Sequence, residues 1–138
     1  MTSSLIDTNI ILDIVSEDQS WNKWSAEKLR RLGNEGPMFI NQIIYAEAST
    51  NFFRREEFEQ LLTISRIDRE QLPFDAAFAA GKAQAEYRGR GGARERTLPD
   101  FLIGAHALVK GYQLLTRDAR RYRVHFPTVD IIAPDTHP

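Results

Sequence analysis

Ser4-Leu5-Ile6-Asp7-Thr8-Asn9-Ile10-Ile11-Leu12 is the stretch on which the reading of the whole chain turns. Ser4-Leu5-Ile6 is a short strand-like run that stops at an acid. From Thr8 to Val15 the apolar spacing becomes helical. A strand therefore runs straight into a helix, with Asp7 at the junction. The same alternation recurs outward from this point. Ser20 is placed to cap a helix over Trp21 to Leu32, with Gly33 placed to end it. Pro37-Met38-Phe39-Ile40 predicts a second strand, and Asn41 can cap a helix running through Ile44, Ala48 and Phe52. Glu56 to Ser65 carries Phe58, Leu61 and Leu62 on one helical face. Ile67 to Leu72 is extended up to Pro73, and the Ala-rich Phe74 to Tyr87 is helical. After a Gly/Arg loop over Arg88 to Arg96, Thr97 opens a helix to Val109 that ends at Gly111. Tyr112 to Leu115 and Val129 to Ile132 are the last strands. Short apolar runs alternating with amphipathic ones give an α/β domain with a parallel sheet.

The 138 residues suffice for one domain, and no repeat or linker divides them. Hydrophobic residues at 42% and charged residues at 27% give the composition of a soluble globular protein. Nothing at the start has the basic-then-apolar pattern of a secretory signal, and the longest apolar runs are far too short to span a membrane. The absence of cysteine excludes disulfides, thiolate catalysis and sulfur-ligated zinc, and fits a cytoplasmic location. A net charge of −1 does not mark a nucleic-acid binder in bulk. The 18 cations are mostly Arg, whose planar fork matches phosphate, although a compositional bias toward Arg explains that equally well.

In an open parallel sheet ligands bind at the carboxyl ends of the strands. Asp7 follows the first strand and Asp118 follows Leu114-Leu115, in Thr116-Arg117-Asp118. Glu47 lies about two turns into the helix after the second strand, and Asp100 in the first turn of the helix after the Gly/Arg loop. Four carboxylates converging on one sheet edge repel one another unless a cation lies between them. A ligand set made only of oxygen selects Mg2+ or Mn2+ over zinc. Asn9 and Thr116 supply neutral polar groups beside it. Each acid also has a plain structural explanation. Asp7 can be a helix N-cap, Asp100 the third residue of a capping box with Thr97, Asp118 a turn initiator and Glu47 a solvated helix residue. The functional case rests on the four together.

In order and spacing, Leu5-Ile6-Asp7-Thr8-Asn9-Ile10, Glu47, Asp100 and Leu115-Thr116-Arg117-Asp118 resemble the PIN domain. The tail from Thr116-Arg117-Asp118-Ala119-Arg120-Arg121-Tyr122 through Phe126-Pro127 to Ile131-Ile132-Ala133-Pro134 is similar to toxins of the VapC type, as is Phe74-Asp75-Ala76-Ala77-Phe78-Ala79-Ala80-Gly81. The resemblance covers essentially the whole chain. It implies a three-layer α/β/α, PIN-like domain over residues 1–138 with a central, mostly parallel sheet. It implies hydrolysis of RNA phosphodiester bonds with one or two Mg2+ or Mn2+ ions. It also implies an acidic site of Asp7, Glu47, Asp100 and Asp118 assisted by Asn9 and Thr116, a homodimer, and a cognate antitoxin that blocks the cleft.

The basic segments Arg88 to Arg96 and Arg117 to Arg123 adjoin these acids. Arg88, Arg90, Arg94, Arg117 and Arg120 are candidates to hold an RNA backbone, against the plain reading of a solvated loop and an exposed helix. Gly89, Gly91 and Gly92 lack the third glycine and the preceding strand of a dinucleotide motif. Trp21 and Trp24 share one helical face and are expected in the core, with an antitoxin-gripping stripe as the other reading. Asp13 is expected on the helix surface, and His106, His125 and His137 have no partner at a telling spacing. Two rival classes remain. In a receiver or haloacid-dehalogenase-like phosphotransfer domain, Asp7 would be the nucleophile, but the dehalogenase type requires a second Asp where Asn9 stands. The other rival is a catalytically inactive PIN-like binding module.

Overall fold

The structure is a computed structural model that describes residues 1–16, 19–92 and 96–138. Its elements, in chain order, are β1 (Ser4–Ile6), α1 (Thr8–Val15), α2 (Gln19–Glu35), β2 (Met38–Ile40), α3 (Gln42–Ser49), α4 (Arg55–Ile64), β3 (Ile67–Arg69), α5 (Phe74–Gly89), α6 (Leu98–Lys110), β4 (Gln113–Leu115), α7 (Arg120–Arg123) and β5 (Ile131–Ile132). The five strands form one all-parallel sheet in the order β3-β2-β1-β4-β5, within a three-layer α/β/α architecture. β1 is central and flanked by β2 and β4. The carboxyl ends of the two middle strands, Ile6 and Leu115, lie in register, so the residues that follow them are neighbours.

The first and fourth strands are buried on both faces, which is why they read as apolar runs rather than alternating ones. Leu5, Ile6, Leu114 and Leu115 are fully enclosed, with Ile10 and Ile11 of α1 and Ile44 of α3 packed beside them. α6 carries Phe101, Ile103, Ala105 and Ala107 into the same core and packs along α5. Gly111 ends α6 at a φ of 68°, the left-handed backbone that glycine adopts without strain.

Several expected boundaries move. α2 continues through Gly33 to Glu35, so Gly33 is not a stop. A Cβ there would stand 2.9 Å from an Arg66 nitrogen and 3.0 Å from the Met38 methyl, the far ends of two flexible side chains that can give way. Ser20 lies inside α2 rather than capping it. α3 stops at Ser49, α5 runs on to Gly89, and the extended piece before Pro73 pairs only over Ile67–Arg69.

Asp13 is not a surface residue. It is buried, and its Oδ2 accepts from Ser25 Oγ and Arg117 Nε, both at 2.6 Å. The fold-back of α2 onto α1 covers it. Trp24 packs against the core, and its indole nitrogen donates to the His137 carbonyl. Trp21 stays 39% exposed, edge-on to Trp24 and under the Arg117 guanidinium.

His106 has partners that its spacing did not reveal. Its fully buried ring sits between Asn41 Nδ2, 3.0 Å from Nδ1, and Glu70 Oε1, 2.9 Å from Nε2. Asn41 Oδ1 already takes the Ile44 N–H, so its amide nitrogen faces the ring as a donor. His106 Nδ1 must therefore accept, and a neutral ring donates from Nε2 to Glu70. Burial depresses the imidazole below its usual 6.5, outweighing the pull of Glu70. Glu70 lies below its usual 4.5, because the bonds from His106 and Tyr112 outweigh the upward push of burial. The unfolded chain takes up a proton on this histidine near 6.5 and the folded chain resists it. Stability is therefore full above 6.5 and falls as pH drops below it, with a slope of up to about 1.4 kcal/mol per pH unit. Urea unfolding at several pH values checks this, and His106→Asn should flatten the dependence between the usual histidine value and that of Glu70.

Candidate active site

Asp7 sits where β1 hands over to α1. It occupies the N-cap position, and its Oδ1 accepts from the Thr8 backbone N–H at 2.7 Å. The structural explanation of this acid is thus correct for one oxygen. The other oxygen turns into the sheet edge, where Thr116 Oγ and Tyr122 OH each donate to it at 2.8 Å. Asn9 Nδ2 stands farther off at 3.5 Å. Asp7 is only 1% exposed. Burial pushes its carboxyl above the ordinary value, more than the bonds from Thr116, Tyr122 and Thr8 and the charge of Arg121 bring it down. A buried carboxyl that stays costly to ionise despite these donors marks a candidate functional group rather than a plain cap.

Thr116 is the hub of the edge. Besides donating to Asp7, its hydroxyl accepts from Asn9 Nδ2 at 3.3 Å and from the Asp118 backbone N–H at 3.0 Å. Asn9 Oδ1 in turn accepts from the Arg117 N–H. These bonds lock the turn after β4 onto the start of α1, so Asp118 is held at a fixed offset from Asp7. Asp100 comes in from the first turn of α6. Its Oδ2 accepts from the Thr97 N–H, completing the capping box, while Oδ1 is 3.5 Å from Arg121 Nη1. Asp118 Oδ2 accepts from Arg121 Nε at 3.1 Å. Asp7, Asp100 and Asp118 are thereby gathered around Arg121, whose charge is favoured by Asp100, Asp7 and Asp118 over the opposing effect of its burial.

Glu47 is not drawn in with them. It is exposed on α3, and its Oε1 accepts from Thr8 Oγ at 2.6 Å. Thr8 adjoins Asp7, so Glu47 borders the cleft at one remove. Among the described residues no three acids or histidines converge closely enough to grip an ion as they stand. Their chemistry nevertheless suits a hard cation. The donors are all oxygen, and the Arg121 guanidinium already stands in for positive charge between Asp100 and Asp118.

The model of the PIN domain family matches residues 4–127. The chain belongs to the PIN domain family. No curated protein matches it. Among solved structures, a chain of VapBC2 from Rickettsia felis bound to a promoter DNA fragment is similar, with a TM-score of 0.73 at 19% identity, covering 96% of this chain and 98% of that one. A chain of FitAcB from Neisseria gonorrhoeae gives a TM-score of 0.73 at 21% identity, covering 98% and 99%. A chain of a toxin–antitoxin complex from Klebsiella pneumoniae gives 0.62 at 22%, covering 95% and 97%. Membership of the PIN domain family, whose fold is not that of a receiver or a haloacid dehalogenase, removes the basis of the phosphotransfer rival.

Two residues at this PIN-domain site were not singled out from the sequence. Tyr122 is fully buried, and burial together with Asp7 pushes its hydroxyl well above the usual value, so it serves Asp7 only as a donor. Arg121 stood unremarked in a basic run. Both lie on α7, three and four residues or about one helical turn after Asp118, and helical spacing from that acid was the available signal. Tyr122→Phe leaves the buried Asp7 short of a donor and should lower stability by about 1–3 kcal/mol in a thermal or urea melt.

The candidate RNA contacts separate. Arg88 is exposed at the end of α5 and, with Gln84, Tyr87, Arg96, Thr97 and Leu98, lines a cleft of ≈ 750 Å3 leading to the first turn of α6. Arg90 is exposed and paired with Glu86 at 2.9 Å. Arg120 is 87% exposed, and its backbone carbonyl accepts from Arg96. Arg117 has Asp13 on its Nε and Trp21 under its plane, so its side chain ties α1 and α2 to the β4 turn. Arg94 lies outside the described residues.

Proposed function

We propose that this PIN domain is an endoribonuclease that requires Mg2+ or Mn2+, cleaves RNA phosphodiester bonds and acts as the toxin of a type II toxin–antitoxin pair. One observation carries the reading. Asp7, Asp100 and Asp118 come from three separate elements to one edge of the sheet, with Thr116 and Tyr122 aimed at Asp7. A helix cap alone needs no such convergence. Asp7, Asp100 and Asp118 would hold the ion directly, with Glu47 and its Thr8 contact at the rim. When bound, a divalent ion supplies activation of water and charge neutralisation at the phosphate.

The protein's own residues do the rest. Thr116 and Tyr122 orient Asp7, and Asn9 fixes the turn bearing Asp118. Arg88, Arg90 and Arg120 line the approach and, with Arg94 of the adjoining segment, would take the RNA backbone. Arg117 supports that surface from beneath. The whole 1–138 chain acts as one domain. Among the described residues no helix is long and apolar enough to cross a membrane, and the proposed setting is the cytoplasm. Solved neighbours that are toxin–antitoxin complexes support an antitoxin as partner. Phe74 and Phe78, exposed four residues apart on α5, offer an apolar face to a second copy of the chain.

The test is cleavage of a single-stranded or looped RNA, beside DNA of the same sequence, in Mg2+ or Mn2+. RNA cleavage is expected, together with growth arrest when the protein is expressed alone and loss of activity when the antitoxin is coexpressed. No cleavage of any RNA by folded protein would favour the inactive binding module. Arg88→Ala, Arg90→Ala and Arg94→Ala combined should weaken RNA binding and flatten its salt dependence, each lost phosphate contact removing about one unit of slope. An unchanged slope would return this loop to a solvated surface.

A further inference from the structure

Arg121 stands among the acids themselves rather than on the approach to them. Its Nη1 is 3.5 Å from Asp100 Oδ1 and its Nε 3.1 Å from Asp118 Oδ2. Those acids come from different elements, α6 and the turn after β4, so a single guanidinium bridges them. Asp100 Oδ2 is already committed to the Thr97 N–H, and the oxygen facing Arg121 is the one left for a ligand. The arginine therefore satisfies the same oxygens that a divalent ion would need.

We infer that Arg121 is a resident counter-cation, whose guanidinium occupies the space between Asp100 and Asp118 in the ion-free protein and which a divalent ion must displace to bind. The inference rests on the acid-site reading above. Two cations cannot share these carboxylates at close range without strong repulsion. The side chain is placed to leave. It is 43% exposed and stems from a short helix at the surface, whereas its neighbour Tyr122 is sealed in the core. While resident, it keeps Asp100 and Asp118 from splaying apart, so the acids remain gathered before the ion arrives. The same contact lowers the affinity for that ion, because binding must break two ion pairs. Arg120 does not play this role. It lies 3.8 Å from the other oxygen of Asp118 and is almost wholly in solvent.

The test is calorimetric titration of Mn2+ into RNA-free protein, comparing wild type with Arg121→Gln and Arg121→Lys. Arg121→Gln should bind Mn2+ at least about tenfold more tightly, since one positive charge has left the acids. Ion-free Arg121→Gln should melt lower than wild type, and its melting point should rise further when Mn2+ is added. Arg121→Lys keeps the charge and should bind much as wild type does. Equal or weaker Mn2+ binding by folded Arg121→Gln overturns the inference while leaving the acid site standing. Failure of wild type to bind Mn2+ at all sinks the acid-site reading and the inference with it. Should Arg121→Gln not fold, the assigned Arg121 Nε–H resonance of the wild type decides. Saturating Mg2+ should move it to the position of a free guanidinium, and an unmoved signal refutes displacement.

Discussion

Asp7→Asn should remove cleavage by three orders of magnitude or more while making the ion-free protein more stable. The two effects have one cause. Asp7 is 1% exposed, and burial raises its carboxyl above the ordinary value in spite of three donors and a nearby arginine. Ionised Asp7 is therefore a net cost to the ion-free fold, and deleting the charge relieves it. Gains at strained functional sites run at roughly 0.5–2 kcal/mol. Asn keeps the cap to Thr8, and the hydroxyl of Tyr122 can turn to accept from the new amide nitrogen. The variant should lose much of the stabilisation that Mg2+ or Mn2+ gives wild type through mass action. One thermal-shift series, with and without ion, reads all of this. A cap-only Asp7 would leave both stability and activity nearly unmoved. A melting point lower than wild type without ion would identify a structural acid instead.

Thr116→Val should act in the opposite direction on stability. The side chain is nearly isosteric and fully buried, so packing is kept and only the hydroxyl is lost. That hydroxyl donates to Asp7 and accepts from Asn9 Nδ2 and the Asp118 N–H, so three buried or half-buried groups lose a partner together. At about 1–3 kcal/mol for each buried polar group left unsatisfied, with partial rescue by water, the loss should be roughly 2–4 kcal/mol. Cleavage should fall about a hundredfold, because Asp118 is no longer held at its offset from Asp7. A denaturant melt and a rate measurement on the folded fraction check the two parts. Wild-type stability in this variant would mean that the edge is held together elsewhere.

The contrast between these residues shows what was legible in the sequence. Asp7 and Asp118 could be read because Asp7 follows an apolar run directly and Asp118 three residues after one, and a parallel sheet sends both run ends to one edge. Thr116 and Asn9 came with them. Glu47 was read by its position in the α3 helix, but period alone does not say which way a helix faces, and the structure turns it to Thr8. Tyr122 and Arg121 were hidden by composition. Four arginines in seven residues read as an outward surface, holding RNA backbone or merely solvated, although helical spacing places Arg121 and Tyr122 back over the cleft. Asp13 was misjudged for the opposite reason. Its partners Ser25 and Arg117 lie 12 and 104 residues away, and only the fold-back of α2 and the β4 turn bring them to it. Gly33 was taken as a helix stop, but a glycine inside a helix costs only about 1 kcal/mol against alanine, and α2 runs on to Glu35.

The most direct measurement of the central claim is RNA cleavage by wild type through a cycle of chelation and restoration. The protein is treated with EDTA, assayed, then returned to Mn2+ or Mg2+ and assayed again, with Asp7→Asn run in parallel. Activity should vanish with chelator, return with the ion in wild type, and stay absent in Asp7→Asn at every ion concentration that restores wild type. Cleavage that persists undiminished in chelator, or that Asp7→Asn retains, would contradict an ion held by Asp7, Asp100 and Asp118 as the engine of this protein.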